Sequence, residues 1–201
     1  MQIFKYGQKE LEYLKEREKI LGSAIERIGT VEREVIPDPF AALVNIIASQ
    51  QISSKAAATV RNRMLEYFGR ITPQIIASTT VEDLHKCGLS MRKAGYIKGV
   101  AEAEMQGELN LSEFPEQSDG EIIRRLSSLK GIGTWTAEMF LIFSMERPDV
   151  VSWNDLAIRR GMMKLYGLQT LTREQFDEYR KRYSPYGSVA SLYLWKLSLE
   201  R

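Results

Sequence analysis

Residues 129–133 read Leu-Lys-Gly-Ile-Gly, two glycines one residue apart with an apolar helical pattern on either side. A reversal this tight draws on glycine, which tolerates positive φ and lets another group approach the backbone closely. The chain here must run helix, turn, helix. Because the second helix starts at the turn, its first N–H groups have no partner within the helix, and the positive end of its dipole points outward. A phosphate is the natural guest for such an end. Downstream, Pro148 breaks the chain and Val150-Val151 forms a short apolar run. Trp153-Asn154-Asp155 then opens a new helix, where an acid in the first turn is electrostatically favoured.

Helical punctuation recurs elsewhere, and strand-like alternation is nearly absent. Residues 8–21 carry Leu11, Leu14 and Leu21 among charges, with Gly22 placed to end that helix, and a short helix follows over 24–28. Asp38-Pro39 and Thr72-Pro73 each pair an N-cap with a first-turn proline. The first launches a helix with Phe40, Leu43, Val44 and Ile47 on one face, and the second precedes Ile75 and Ile76. Gln50-Gln51-Ile52-Ser53 is an interruption, after which Ser53 or Ser54 caps a helix reaching Phe68 and stopping at Gly69. A helix over 80–85, a turn at Cys87-Gly88-Leu89 and a helix over 92–105 come next, then a polar loop over 106–116 around Pro115. Ser118-x-x-Glu121 and Thr172-x-x-Gln175 are capping boxes. The first opens the helix that turns Ile122, Leu126 and Leu129 inward and feeds the glycine turn. Helices from Asp155 to about Tyr166 and over 188–199 complete an all-α chain, with a short extended lead-in open for residues 1–7.

At 201 residues and 44% apolar content, the chain suffices for one compact unit or two small subdomains sharing a core. A net charge of +2 does not announce a nucleic-acid binder, so a DNA-binding surface must come from local clustering. One cysteine, Cys87, excludes an internal disulfide framework and a four-cysteine iron–sulfur cluster. One histidine, His85, argues against a His-based metal site. With no apolar run long enough to span a membrane and no signal-peptide pattern, the chain is expected to be soluble, cytoplasmic and free of membrane contact.

The glycine turn, its apolar helix and an Asp at a helix start, 155 − 135 = 20 residues beyond Trp135, together resemble a known arrangement. It is the helix-hairpin-helix, Gly/Pro-rich loop and Asp of the HhH-GPD DNA glycosylase superfamily. The likeness is to its alkylbase branch, the 3-methyladenine DNA glycosylase II type. It covers roughly residues 39–160 and returns at 184–197, Ser-Pro-Tyr-Gly-Ser-Val-Ala-Ser-Leu-Tyr-Leu-Trp-Lys-Leu. The resemblance implies two helical subdomains flanking a DNA-binding cleft. One is residues 36–147, containing the hairpin at 129–133; the other is 1–35 plus 148–201. The extra N-terminal mixed α/β domain of some bacterial members is not expected. A monomer is implied, acting in base excision repair on double-stranded DNA that contains damaged bases, at the nucleoid.

Carried over residue by residue, the resemblance makes Asp155 the catalytic carboxylate. Breaking an N-glycosidic bond builds positive charge on the sugar, and a fixed carboxylate beside C1′ stabilises it and can orient the attacking water. The plainer role for Asp155 is a helix N-cap. Members that also cut the DNA backbone use a lysine at the position of Trp135 to form a Schiff base. Tryptophan there implies a monofunctional enzyme that leaves an abasic site. Trp135 and Trp195 match aromatic pocket positions for the flipped base, with core filling as their alternative. Met139, one turn beyond Trp135, stands at a pocket position that is tyrosine in some relatives. Trp153 either lines the cleft or anchors its loop. Gln51, with Ile52 beside it, aligns with the wedge that fills the gap left by the flipped base, often leucine in bacterial relatives; an ordinary helix–helix turn is the alternative. Gly131, Gly133 and Thr134 would hold a DNA phosphate, aided by Lys130, Arg92 and Lys93, although lone cations on helices are commonly just solvated. Hairpin carbonyls that bind a monovalent cation in the family map to Ser127, Leu129 and Ile132. The resemblance thus implies a structural Na+ or K+, and no cofactor is required.

The leading expectation is hydrolytic release of alkylated purines, chiefly 3-methyladenine, with 7-methylguanine second. A glycosylase for oxidised or mismatched bases is the alternative within the same chemistry. A non-catalytic helix-hairpin-helix DNA-binding module is the alternative outside it, and it would need neither Asp155 nor an aromatic pocket. An ordinary helical interaction protein would not need the glycine turn to bind phosphate at all.

Overall fold

A computed structural model describes residues 2–200. In chain order it contains β1 (Gln2–Ile3), α1 (Gln8–Arg17), α2 (Lys19–Ile28), β2 (Glu34–Val35), α3 (Pro39–Ser49), α4 (Ser54–Phe68), α5 (Pro73–Ser78) and α6 (Val81–Lys86). These are followed by α7 (Met91–Gln106), a 3-10 turn at Leu111–Glu116, α8 (Asp119–Ser127), α9 (Thr134–Phe143), α10 (Leu156–Tyr166), α11 (Arg173–Tyr183) and α12 (Gly187–Ser198). The fold is all-α apart from one two-residue antiparallel pairing, with Gln2 opposite Val35 and Ile3 opposite Glu34.

Contacts divide the chain into two compact units, Met1–Val35 with Leu141–Arg201, and Ile36–Phe140. The sequence division closed the middle subdomain at residue 147. The structure instead closes it at Phe140, inside α9, because residues 141–147 are bonded to the ends of the chain. The Ser188 hydroxyl donates to the Arg147 carbonyl at 2.5 Å, and the Glu146 carboxylate accepts the Lys5 N–H at 2.7 Å.

The first unit is built round α12. That helix is apolar on every side, and only Trp195 and Lys196 within it escape burial. A helix with no polar face needs neighbours all round, and α1, α2, α10 and α11 all pack on it. The expectation of one helix over 8–21 is corrected here. Glu18 is extended (φ −134°, ψ 95°) and separates α1 from α2, its carboxylate accepting the Ile20 N–H at 3.3 Å. Gly22 lies inside α2 rather than ending it. A Cβ there would come within 3.0 Å of Lys15 Cα, so the glycine serves the close packing of α1 on α2.

In the second unit α7 is the hub, packing on α3, α5 and α6, while α4 packs on α3. The anticipated caps hold: Asp38 accepts from Ala41 N–H, Thr72 from Ile75 N–H, Ser53 from Ala56 N–H, and Ser118 and Glu121 close their box. The stretch expected as a polar loop over 106–116 contains the 3-10 turn, whose Leu111 and Phe114 are buried. Fully buried Leu43, Ile47, Ile76, Leu84 and Ile97 each contribute about 1.5–3 kcal/mol relative to exposure.

Candidate active site

In the middle unit the hairpin is held from below. After α8, Leu129 N–H bonds back to the Leu126 carbonyl and Ile132 N–H to the Leu129 carbonyl. Ile132 points inward, 4% exposed, while Lys130, Gly133 and Thr134 face solvent. Gly131 is required twice over. Its φ is +87°, and a Cβ would lie 2.0 Å from Tyr96 Cδ2 on α7. Gly133 is different, because nothing lies within 4 Å of a Cβ built there. Its bare backbone at the start of α9 is open to a docking group.

The loop between α3 and α4 is tied to this hairpin. The Gln50 side-chain amide donates to the Gly131 carbonyl at 3.1 Å and to Thr136 Oγ1 at 2.9 Å. The Lys93 ammonium donates to the carbonyls of Ala48 (2.9 Å) and Gln50. Lys93 is thereby a C-cap of α3 rather than a free cation, and desolvation, with Arg92 adding to it, pushes its pKa down. Arg92 remains exposed. At the loop's tip Gln51 has a left-handed backbone (φ 55°) and is exposed, as is Ile52 at 41%. A non-glycine residue in this region is strained by about 1–3 kcal/mol and persists only where its surroundings enforce it. On α9, Trp135 is half-buried, and Met139, one turn on, is 3% exposed.

In the other unit Asp155 caps α10. Its Oδ1 accepts the N–H groups of Ala157 and Ile158, each at 2.9 Å, and the Trp195 indole N–H at 3.2 Å. The residue is 8% exposed. Trp195 reaches it because α12 runs very close to α10: a Cβ on Gly161 would sit 1.9 Å from the Leu194 carbonyl oxygen. The start of α12 is fixed by the segment after Pro148. Asp149 accepts from Gly187 N–H (3.0 Å) and the Ser184 hydroxyl (2.6 Å). The Ser188 hydroxyl accepts the Val150 N–H, and the Ser191 hydroxyl donates to the Val150 carbonyl.

Two further side chains join this group. The Phe143 ring stacks on Trp195 (centroids 5.4 Å, 26°), and the Arg33 guanidinium lies 5.0 Å from the Phe143 centroid and 5.6 Å from that of Trp195. Burial lowers the Arg33 pKa from its usual value, opposed by the attraction of Asp155 and then Glu34. Phe143 was legible in outline, since 135, 139 and 143 recur every four residues on one helical face. Arg33 carried no local signal. Trp153 does not join them. It packs edge-on to Phe176 at 5.2 Å, with Arg159 and Arg173 over its ring, which is the contact set of a loop anchor.

Ser127, Leu129 and Ile132 all lie in the hairpin, and the Leu129 carbonyl already accepts one N–H. Among the described residues no cluster of His, Cys, Asp or Glu could hold a metal ion, and no helix is long and apolar enough to cross a membrane.

Residues 44–185 match the family model for the HhH-GPD superfamily base excision DNA repair proteins. The chain is 38% identical over 166 residues to DNA-3-methyladenine glycosylase 1 of Schizosaccharomyces pombe, covering 80% of this chain and 73% of that protein. The fold is similar to the crystal structure of a Bacillus halodurans DNA-3-methyladenine glycosidase, with TM-score 0.84 and 35% identity over 99% of this chain and 93% of the other. It is also similar to S. pombe 3-methyladenine DNA glycosylase in complex with abasic DNA, with TM-score 0.86 and 33% identity over 94% and 96% of the two chains.

Proposed function

Because the chain belongs to the HhH-GPD superfamily of base excision DNA repair proteins, we propose that it is a monofunctional DNA glycosylase acting as a monomer on damaged double-stranded DNA. Its substrates are alkylated purines, chiefly 3-methyladenine, with 7-methylguanine second. The names of its S. pombe and B. halodurans relatives support the substrate class. The observation that carries the reading is the Asp155 carboxylate, fixed by two helix N-terminal N–H groups and the Trp195 indole. Donors already aimed at it mean that no reorganisation is needed when charge develops opposite.

The damaged nucleotide leaves the stack, and its base lies against the Trp195 ring. The C1′–N bond breaks with its electron pair going to the base. Asp155 stabilises the positive charge left on the sugar and orients the water whose oxygen bonds to C1′. A base methylated on a ring nitrogen is cationic, departs neutral and needs little acid catalysis. Trp135 stands where a Schiff-base lysine would, and Lys130 faces solvent in the turn, so an abasic site remains without strand cleavage. Gly131, Gly133 and Thr134 hold a phosphate, which positions the enzyme without reading sequence. Exposed Gln51 and Ile52, on their strained tip, fill the gap left by the base. The carbonyls of Ser127, Leu129 and Ile132 suit a monovalent cation, since the Leu129 carbonyl keeps a second lone pair; when bound, the ion would add positive charge beside that phosphate.

The test is release of free base from dimethyl-sulfate-treated duplex DNA by wild type and Asp155→Asn, with the base identified by chromatography. Wild type should free 3-methyladenine without strand breaks. Asp155→Asn should bind the same DNA but release base at least about 100-fold more slowly. A wild type that binds DNA and frees nothing would leave a docking module.

A further inference from the structure

The Arg33 guanidinium is held in an unusual way. Its backbone is anchored at the start of β2, where the Arg33 carbonyl accepts the Phe4 N–H at 2.9 Å. Its head group lies over the two stacked rings of Phe143 and Trp195, and Trp195 is the side chain that bonds Asp155. Among the described residues no hydrogen bond or ion pair engages that head group, so its five N–H donors are uncommitted. A permanent cation with unused donors therefore occupies the aromatic face beside the proposed catalytic carboxylate.

We propose that Arg33 is a specificity-determining residue that sets the charge of the base the pocket accepts, weakening selection for cationic bases and supporting release of neutral ones. This rests on the glycosylase reading above. An aromatic face attracts a cation. Here that attraction is already satisfied by Arg33, so a cationic base gains on the face only what Arg33 gives up, and it meets a like charge. A neutral purine stacks beneath the guanidinium without that repulsion.

The chemical step favours the same direction. When the C1′–N bond breaks, the electron pair leaves with the base. A cationic base departs neutral, and the proton shed by the attacking water goes to solvent. A neutral base departs as an anion that must take up that proton. The uncommitted Arg33 N–H donors can hydrogen-bond the anion as it forms. The guanidinium thus disfavours one class in binding and assists the other in departure.

The experiment compares wild type, Arg33→Met, Arg33→Gln and Arg33→Lys in single-turnover release. One substrate set is methylated duplex, the source of cationic 3-methyladenine and 7-methylguanine; the other is duplexes carrying the neutral bases hypoxanthine or 1,N6-ethenoadenine. Met and Gln should raise the cationic-to-neutral rate ratio about tenfold or more, while Lys keeps it within about threefold of wild type. Melting curves confirm that the variants are folded. An unchanged ratio, an equal fall on both classes, or a wild type that releases cationic bases but no neutral base overturns the proposal for Arg33 and leaves the glycosylase reading standing. A wild type that releases neither class overturns both.

Discussion

Gly161→Ala tests the assembly of the proposed catalytic pair without touching either member. A Cβ at 161 would lie 1.9 Å from the Leu194 carbonyl oxygen, where ordinary contact begins at 3.4 Å, so α12 must retreat by about 3.4 − 1.9 = 1.5 Å. Trp195 is the next residue and moves with it. Its 3.2 Å bond to Asp155 would then open toward 3.2 + 1.5 = 4.7 Å, beyond hydrogen-bonding range. Overpacking costs about 1–3 kcal/mol, and loss of a bond to a buried carboxylate about 1.5–3. The better helix propensity of alanine returns about 1 kcal/mol, for a net loss of about 1.5–5 kcal/mol. A displacement of this size at a catalytic group lowers release about 100-fold. Urea denaturation gives the first quantity and single-turnover base release the second. Gly95→Ala and Gly99→Ala are the controls: both lie in α7 with nothing within 4 Å of the added Cβ, and each should stabilise by about 0.5–1 kcal/mol. A Gly161→Ala protein that matches wild type within about 0.5 kcal/mol, or that keeps full activity, refutes this coupling of Gly161 to Trp195.

The hairpin and the loop beside it lend themselves to similar tests. Gln51→Gly relieves a left-handed backbone and should stabilise the protein by about 1 kcal/mol. It should also slow base release from duplex more than from single-stranded substrate; an equal effect on both would remove Gln51 from gap filling. Gly131→Ala, with φ +87° and a Cβ 2.0 Å from Tyr96, should destabilise by about 2–4 kcal/mol in urea. Gly133→Ala should stay within about 0.5 kcal/mol of wild type, and equal losses at the two positions would refute the distinction between them.

The legible parts of the molecule were those carried by short-range chemistry. Caps such as Asp38-Pro39, Thr72-Pro73 and Ser118-x-x-Glu121 are complete within four residues, and their helices begin where they point. Asp155 and Trp195 could be named separately, but their hydrogen bond spans 40 residues of chain and rests on Gly161, which as a sequence letter is only a poor helix former. Gly22 misled for the same reason, since a glycine that ends a helix and one that admits a neighbour look alike. Lys93 looked like a surface cation because the carbonyls it caps belong to residues 48 and 50. Asp149, Ser188 and Ser191, which set the register of α12, are polar letters in apolar surroundings, and only the fold shows what each bonds.

The way Asp155 is held also decides how its role can be measured. Taking a carboxylate out of water is unfavourable unless it is paired or hydrogen-bonded. A lysine in contact would solve that problem, but its full positive charge would oppose the stabilisation of a cationic sugar. Here three bonds come from the Ala157 and Ile158 N–H groups and the Trp195 indole, which are dipoles rather than ions, and the Arg33 guanidinium lies over the rings. On the proposed mechanism the same atoms serve fold and chemistry, and deleting the side chain would confuse the two: Asp155→Ala loses an N-cap worth about 1 kcal/mol along with any catalytic role. Asparagine ranks with aspartate as an N-cap, and its carbonyl oxygen can accept the same three N–H groups while carrying no charge. An Asp155→Asn protein that melts near wild type, binds duplex DNA and releases no base isolates the charge as the catalytic element. One that keeps releasing base would reduce Asp155 to a cap.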